Sequence, residues 1–66
     1  MTIHVNGDAI ELAGPTTLGE VVDARVTDRS GVAAAVDGVV VPRSAWDGTT
    51  LDEGARVEIV GAVQGG

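Results

Sequence analysis

The sequence predicts one small α+β domain, a mixed sheet with a single helix packed across it. Three observations carry that prediction. Alternating apolar and polar residues flank an Asn-Gly pair near the N-terminus. A segment behind a capping signature has its apolar residues at helical spacing. Three β-branched or period-two segments then follow, the first two separated by Asp-Gly. A chain of 66 residues buries only about 60% of the surface its unfolded form exposes. A second domain or a deep enclosed pocket therefore does not fit.

The first two strands form a hairpin. Ile3 and Val5 alternate with Thr2 and His4, and Ile10 and Leu12 alternate with Glu11. Asn6-Gly7 between them suits a two-residue turn that needs positive φ at both positions. Gly14-Pro15 breaks the second strand. Thr17 followed three residues later by Glu20 is a capping box, which opens a helix near Leu18. Leu18, Val21, Val22 and Val26 then line one helical stripe, and Gly19 weakens the helix modestly. After a polar break from Asp28 to Gly31, Val32, Ala34 and Val36 alternate with Ala33 and Ala35 as a strand. Asp37-Gly38 turns the chain into Val39-Val40-Val41. Pro42 closes that strand, because it has no N–H for a ladder, and so suits a strand end or a sheet edge. Arg43 to Glu53 reads as irregular. Arg56 to Val60 has period two, with Val57 and Ile59 facing inward. The order β-β-α-β-β-β with one helix is the β-grasp arrangement. Residues 1–60 form the folded domain, and residues 61–66 form a flexible tail ending in Gly-Gly.

Composition narrows the function. Four Arg and no Lys stand against ten Asp and Glu, a net charge of 4 − 10 = −6. Such a surface repels nucleic-acid phosphates and anionic lipid headgroups, so neither is an expected partner. No Cys is present, which removes disulfides, thiolate zinc sites and thiol nucleophiles. The N-terminus lacks a basic leader with an apolar core, and no apolar run is long enough to span a membrane. The expected location is the cytoplasm.

Conventional active-site chemistry finds no foothold. His4 lies in the first strand without a positioned partner, and reads as a surface residue. Asp47, Asp52 and Glu53 lack the ligand spacing of a calcium loop, and no metal site is expected. Ser30 and Ser44 have no nearby base in sequence. The terminal carboxylate on Gly66 remains. Gly65 and Gly66 lack a Cβ, so this end can pass through a narrow tunnel to another protein's catalytic centre. A carboxylate resists nucleophiles because oxide is a very poor leaving group. An acyl-adenylate, with AMP as leaving group, does not.

Length, element order and the Gly-Gly end together resemble the ubiquitin-like sulfur carriers, in particular the ThiS family of thiamin biosynthesis. The segment from Ala33 to Trp46, with Val41-Pro42-Arg43 and Trp46, is the distinguishing part. The resemblance implies a protein cosubstrate and not an enzyme, with no bound cofactor. A ThiF-like enzyme would use ATP to adenylate Gly66 after threading Gly61, Ala62, Val63, Gln64 and Gly65 into its site. Sulfur from a persulfide-bearing protein would give a Gly66 thiocarboxylate, which a ThiG-like thiazole synthase would accept as sulfur donor. The alternatives are a related carrier for molybdopterin or cysteine synthesis, and a ubiquitin-like protein modifier. Absence of lysine leaves the activated acyl group few internal nucleophiles.

Strand alternation adds a docking surface. If Val57 and Ile59 face the helix, Val60 faces outward, with Ala33 and Ala35 on the same outer sheet face. Trp46, the only aromatic residue, suits a place beneath the loop as a core cap. Arg43 reads as a surface residue, with a place at a partner interface as the alternative.

Overall fold

The computed structural model describes residues 1–61. Strands β1 (Thr2–Val5) and β2 (Asp8–Glu11) form the opening hairpin. Helix α1 (Leu18–Arg25) follows, then β3 (Val32–Val36) and β4 (Val39–Val41). A 3-10 segment spans Arg43–Gly48, and β5 runs over Arg56–Gly61. The five strands make one mixed sheet in the order β2-β1-β5-β3-β4. The last strand therefore enters the middle. It is parallel to β1 and antiparallel to β3.

Local chemistry explains both hairpins. Asn6 and Gly7 have φ of 52° and 90°, and Asp37 and Gly38 have φ of 51° and 84°. Two consecutive positive values are what a type I′ turn needs, and they match the twist of the paired strands. The capping box is formed as expected. Thr17 accepts from the Glu20 backbone N–H at 3.2 Å, and the Glu20 carboxylate accepts from the Thr17 N–H at 3.1 Å. Val26 ends the helix as its C-cap.

The helix lays Leu18, Val21 and Val22 against Ile3, Val5, Ala34 and Val57, and Trp46, Leu51 and Ala55 complete the core. No buried side-chain nitrogen or oxygen among the described residues lacks a partner, so the interior carries no desolvation penalty of that kind.

Four boundaries differ from the sequence expectation. The helix stops at Arg25, so Val26 of the expected stripe has extended backbone, and β2 stops at Glu11, before Leu12. The stretch after Pro42 is not wholly irregular, because Ala45 N–H reaches Pro42 C=O at 2.8 Å and starts the 3-10 segment. The final strand extends one residue beyond the expected limit at Val60. Gly61 pairs with Val32, since β3 begins early enough to offer it a partner.

Arg29 joins the helix to the 3-10 segment. Its guanidinium donates to Asp23 at 2.8 and 2.9 Å and to Asp47 at 2.8 and 3.3 Å, and it lies 5.6 Å from the Trp46 ring centre. The close approach also bears on Gly19. A Cβ there would meet the ends of the Asp47 and Arg29 side chains, so a larger residue at this position would displace that ion pair.

Hydrogen bonds from Arg29 hold the Asp23 and Asp47 carboxyls below their ordinary range, and the same pairing holds the guanidinium protonated. Bonds from Thr2 and then the N-terminal ammonium lower Glu11, and the Ser30 N–H lowers Asp28. Carboxyls lowered in the folded state stabilise it above the unfolded carboxylate range and lose that contribution as acid protonates them. The thermal midpoint is therefore expected to stay nearly level between about pH 5 and 7 and to fall below about pH 4. Replacing both Asp23 and Asp47 by Asn should flatten that acid limb. Circular dichroism melts across pH check it, and an unchanged limb in the double variant would sink it.

Candidate functional site

The end of β5 and the sheet face turned away from the helix form the candidate site. Along β5, Val57 is buried, Ile59 is partly buried, and Val60 is 61% exposed. Register places Ala33 opposite Val60, and Ala35 opposite Glu58 on one side and Val40 on the other. Side chains alternate across a strand, so Val60, Ala33, Ala35 and Val40 share the outer face. Together with Glu58 they line a shallow depression of about 190 Å³. The expected grouping of Val60 with Ala33 and Ala35 is present. Val40, 71% exposed, was not singled out in sequence because β4 reads as a uniform valine run. Its cross-strand place beside Ala35 reveals its side.

Side chains in the two hairpin turns hold β5 in place. Backbone pairing with β1 covers only His4 with Arg56 and Val5 with Val57. Beyond it, the Asn6 side-chain amide takes over. Its Nδ2 donates to the Ile59 carbonyl at 3.2 Å, and its Oδ1 accepts from the Ile59 N–H at 2.8 Å. At the other end of β5, Asp37 Oδ1 accepts from the Arg56 N–H at 3.0 Å, while the Asp37 N–H donates to the Arg56 carbonyl at 2.8 Å. The strand leading to the chain end is thereby fixed near both its ends. In the sequence Asn6 and Asp37 read as turn residues only. Their second role needs contacts 53 and 19 residues away.

Of the residues expected in the threading segment, Gly61 is the last residue of β5, and Ala62, Val63, Gln64, Gly65 and Gly66 lie outside the described residues. Trp46 is 1% exposed and donates from Nε1 to the Val41 carbonyl at 2.8 Å, so it is a core residue. Arg43 is exposed and reaches the Arg29 carbonyl at 3.4 Å. His4 sits on the outer face in register with Arg56. Among the described residues, no three His, Asp or Glu side chains are grouped to hold a metal ion, and no helix is long and apolar enough to cross a membrane.

Comparison with known proteins decides the family. The model of the ThiS family matches residues 3–66. The chain belongs to the ThiS family. Its fold is accordingly the ubiquitin-like β-grasp. A crystal structure of the thiamine biosynthesis protein ThiS from Geobacter metallireducens superposes on this ThiS-family chain with a TM-score of 0.83 at 30% identity, covering 100% of both chains. A solution structure of a thiamine biosynthesis protein from the same organism gives 0.81 at 30% identity, covering 100% of this chain and 88% of that one. No curated protein matches this chain.

Proposed function

We propose that this chain is the sulfur carrier of thiamin biosynthesis, delivering sulfur from a thiocarboxylate on Gly66 for thiazole formation. Family membership over residues 3–66 supports that reading. The observation that carries it within the fold is the placement of β5. A strand anchored by Asn6 and Asp37 leads directly from the apolar outer face to the segment bearing the carboxylate.

In the first step a Gly66 carboxylate oxygen attacks the α-phosphorus of ATP on a ThiF-like partner and expels pyrophosphate. A persulfide sulfur then attacks the acyl carbon and AMP departs, leaving an acyl disulfide. A thiol cleaves the S–S bond, so one disulfide forms and the Gly66 thiocarboxylate is released to a ThiG-like synthase. The chain supplies the acyl group and the docking surface, and its partners supply the chemistry. The location that suits this traffic is the cytoplasm.

Incubation with a cognate activating enzyme, ATP and a sulfur donor should raise the intact mass by the exchange of one oxygen for sulfur. An unchanged mass with an active partner overturns the proposal. Val60, Ala33, Ala35 and Val40 form the docking face in this reading, and Glu58 with the net charge of −6 favours a basic partner surface. Val60→Arg, which sets a bulky cation against that basic surface, should therefore lower kcat/KM for adenylation by roughly tenfold with only a small change in melting temperature, because Val60 packs no core. An unaltered kcat/KM would remove Val60 from the interface.

A further inference from the structure

A groove on the opposite side of the molecule has no part in the proposed sulfur chemistry. It lies between the opening hairpin and α1 and has a volume of about 290 Å³. Ile10 and Leu12 form its hairpin side, Val21 and Ala24 its helix side, and Glu20 and Arg25 line it as well. We propose that an extended peptide segment of another protein binds here, pairing with β2 as a sixth strand and laying alternate apolar side chains into the groove.

Backbone geometry supplies the first argument. β2 is an edge of the five-stranded sheet. Met1 and Leu12 exchange both backbone bonds, at 2.7 and 3.1 Å. Antiparallel pairs alternate between bonded and non-bonded. The register therefore makes Ile3 with Ile10 a bonded pair and makes His4 with Ala9, and Thr2 with Glu11, non-bonded pairs. The N–H and C=O groups of Ala9 and Glu11 thus point away from β1, toward open space. An incoming strand finds two donors and two acceptors there. The other edge is less suited, since β4 has three residues and ends at Pro42, which shortens and blunts it.

Charge supplies the second. Glu20 is occupied by the capping box and by Thr16 Oγ1 at 2.8 Å. Arg25, the last residue of α1, takes part in no ion pair among the described residues. An unengaged guanidinium beside an apolar groove selects a segment that carries a carboxylate next to its apolar side chains. A second copy of this chain fits poorly, because each copy brings a net charge of −6. The proposal stands or falls independently of the role of Gly66.

The test is a titration of the full chain, followed by amide NMR. The probe is an acetylated, amidated nine-residue peptide with Val at alternate positions, Thr between them, and Asp at one end. The Ala9, Glu11, Ala24 and Arg25 amides should shift, and exchange of the Ala9 and Glu11 amides should slow. Arg25→Glu should weaken binding about tenfold, and a Lys-ended peptide should recover it in that variant only. Arg25 is exposed, so the variant folds. Equal binding of a peptide with Pro at its centre overturns the proposal, as does the absence of shifts at millimolar peptide. Shifts confined to the Val60 face overturn it too. Concentration-dependent protection of Ala9 and Glu11 without peptide would name a second copy as the occupant. Movement of those amides on deletion of residues 62–66 would name the chain's own end. Either result replaces the proposed partner.

Discussion

Removal of Gly65 and Gly66 is expected to abolish sulfur acceptance while leaving the fold unchanged. Among the described residues, the last fully buried member of the core is Val57, and Ile59 packs against that core from β5. Melting of the shortened chain should fall within about 2 °C of the parent, and the mass shift from oxygen to sulfur should disappear. Adenylation needs the reacting carboxyl at a fixed point in the partner's site, and a chain two residues shorter cannot reach it. Retained sulfur acceptance would contradict the proposed role of Gly66. A large loss of stability would show instead that the terminal segment belongs to the folded body.

Replacement of Trp46 by Ala is expected to cost about 3–5 kcal/mol. A domain of 66 residues has a total stability of about 3–10 kcal/mol, so the change should remove at least about a third of it. Three losses combine in that change. The indole is 1% exposed and fills the space beneath the 3-10 segment. Its N–H donates to Val41, closing the end of β4. Arg29 also loses the ring it lies over. Trp46→Phe separates these contributions, keeping most of the apolar volume and leaving the Val41 carbonyl without the indole donor. It should cost less than the Ala variant. Urea unfolding followed by circular dichroism measures both, and near-parental stability of Trp46→Ala would remove the residue from the core.

Features set by near neighbours were legible in the sequence. The two turns follow from Asn-Gly and Asp-Gly, and the helix start from Thr17 and Glu20. The inner and outer sides of β5 follow from period two, and with them the outward position of Val60. Features set by distant neighbours were not. The 3-10 segment from Arg43 to Gly48 is too short to show a period, and it is held by packing against α1. Gly61 enters the strand only because Val32 lies opposite. Asn6 carries a familiar turn signature that hides its bonds to Ile59. Val40 has identical neighbours, so its side of the sheet emerges only from register with Ala35. The proposed reacting end, Ala62 to Gly66, rests on family and composition alone.

The meeting of β1 and β5 at the centre of the sheet has a mechanical consequence. The two strands run parallel, so traction on the last residues toward a partner's interior, opposed by a hold on the first residues, slides one strand along the other. Such a load is shared among the cross-links at once: the β1 pairing, the Asn6 amide and, on the other flank, the five residue pairs with β3. A hairpin opened from its free end would instead break them one after another. Under the role proposed for Gly66, β5 is thus the tether through which a partner drawing on that end would hold the whole body.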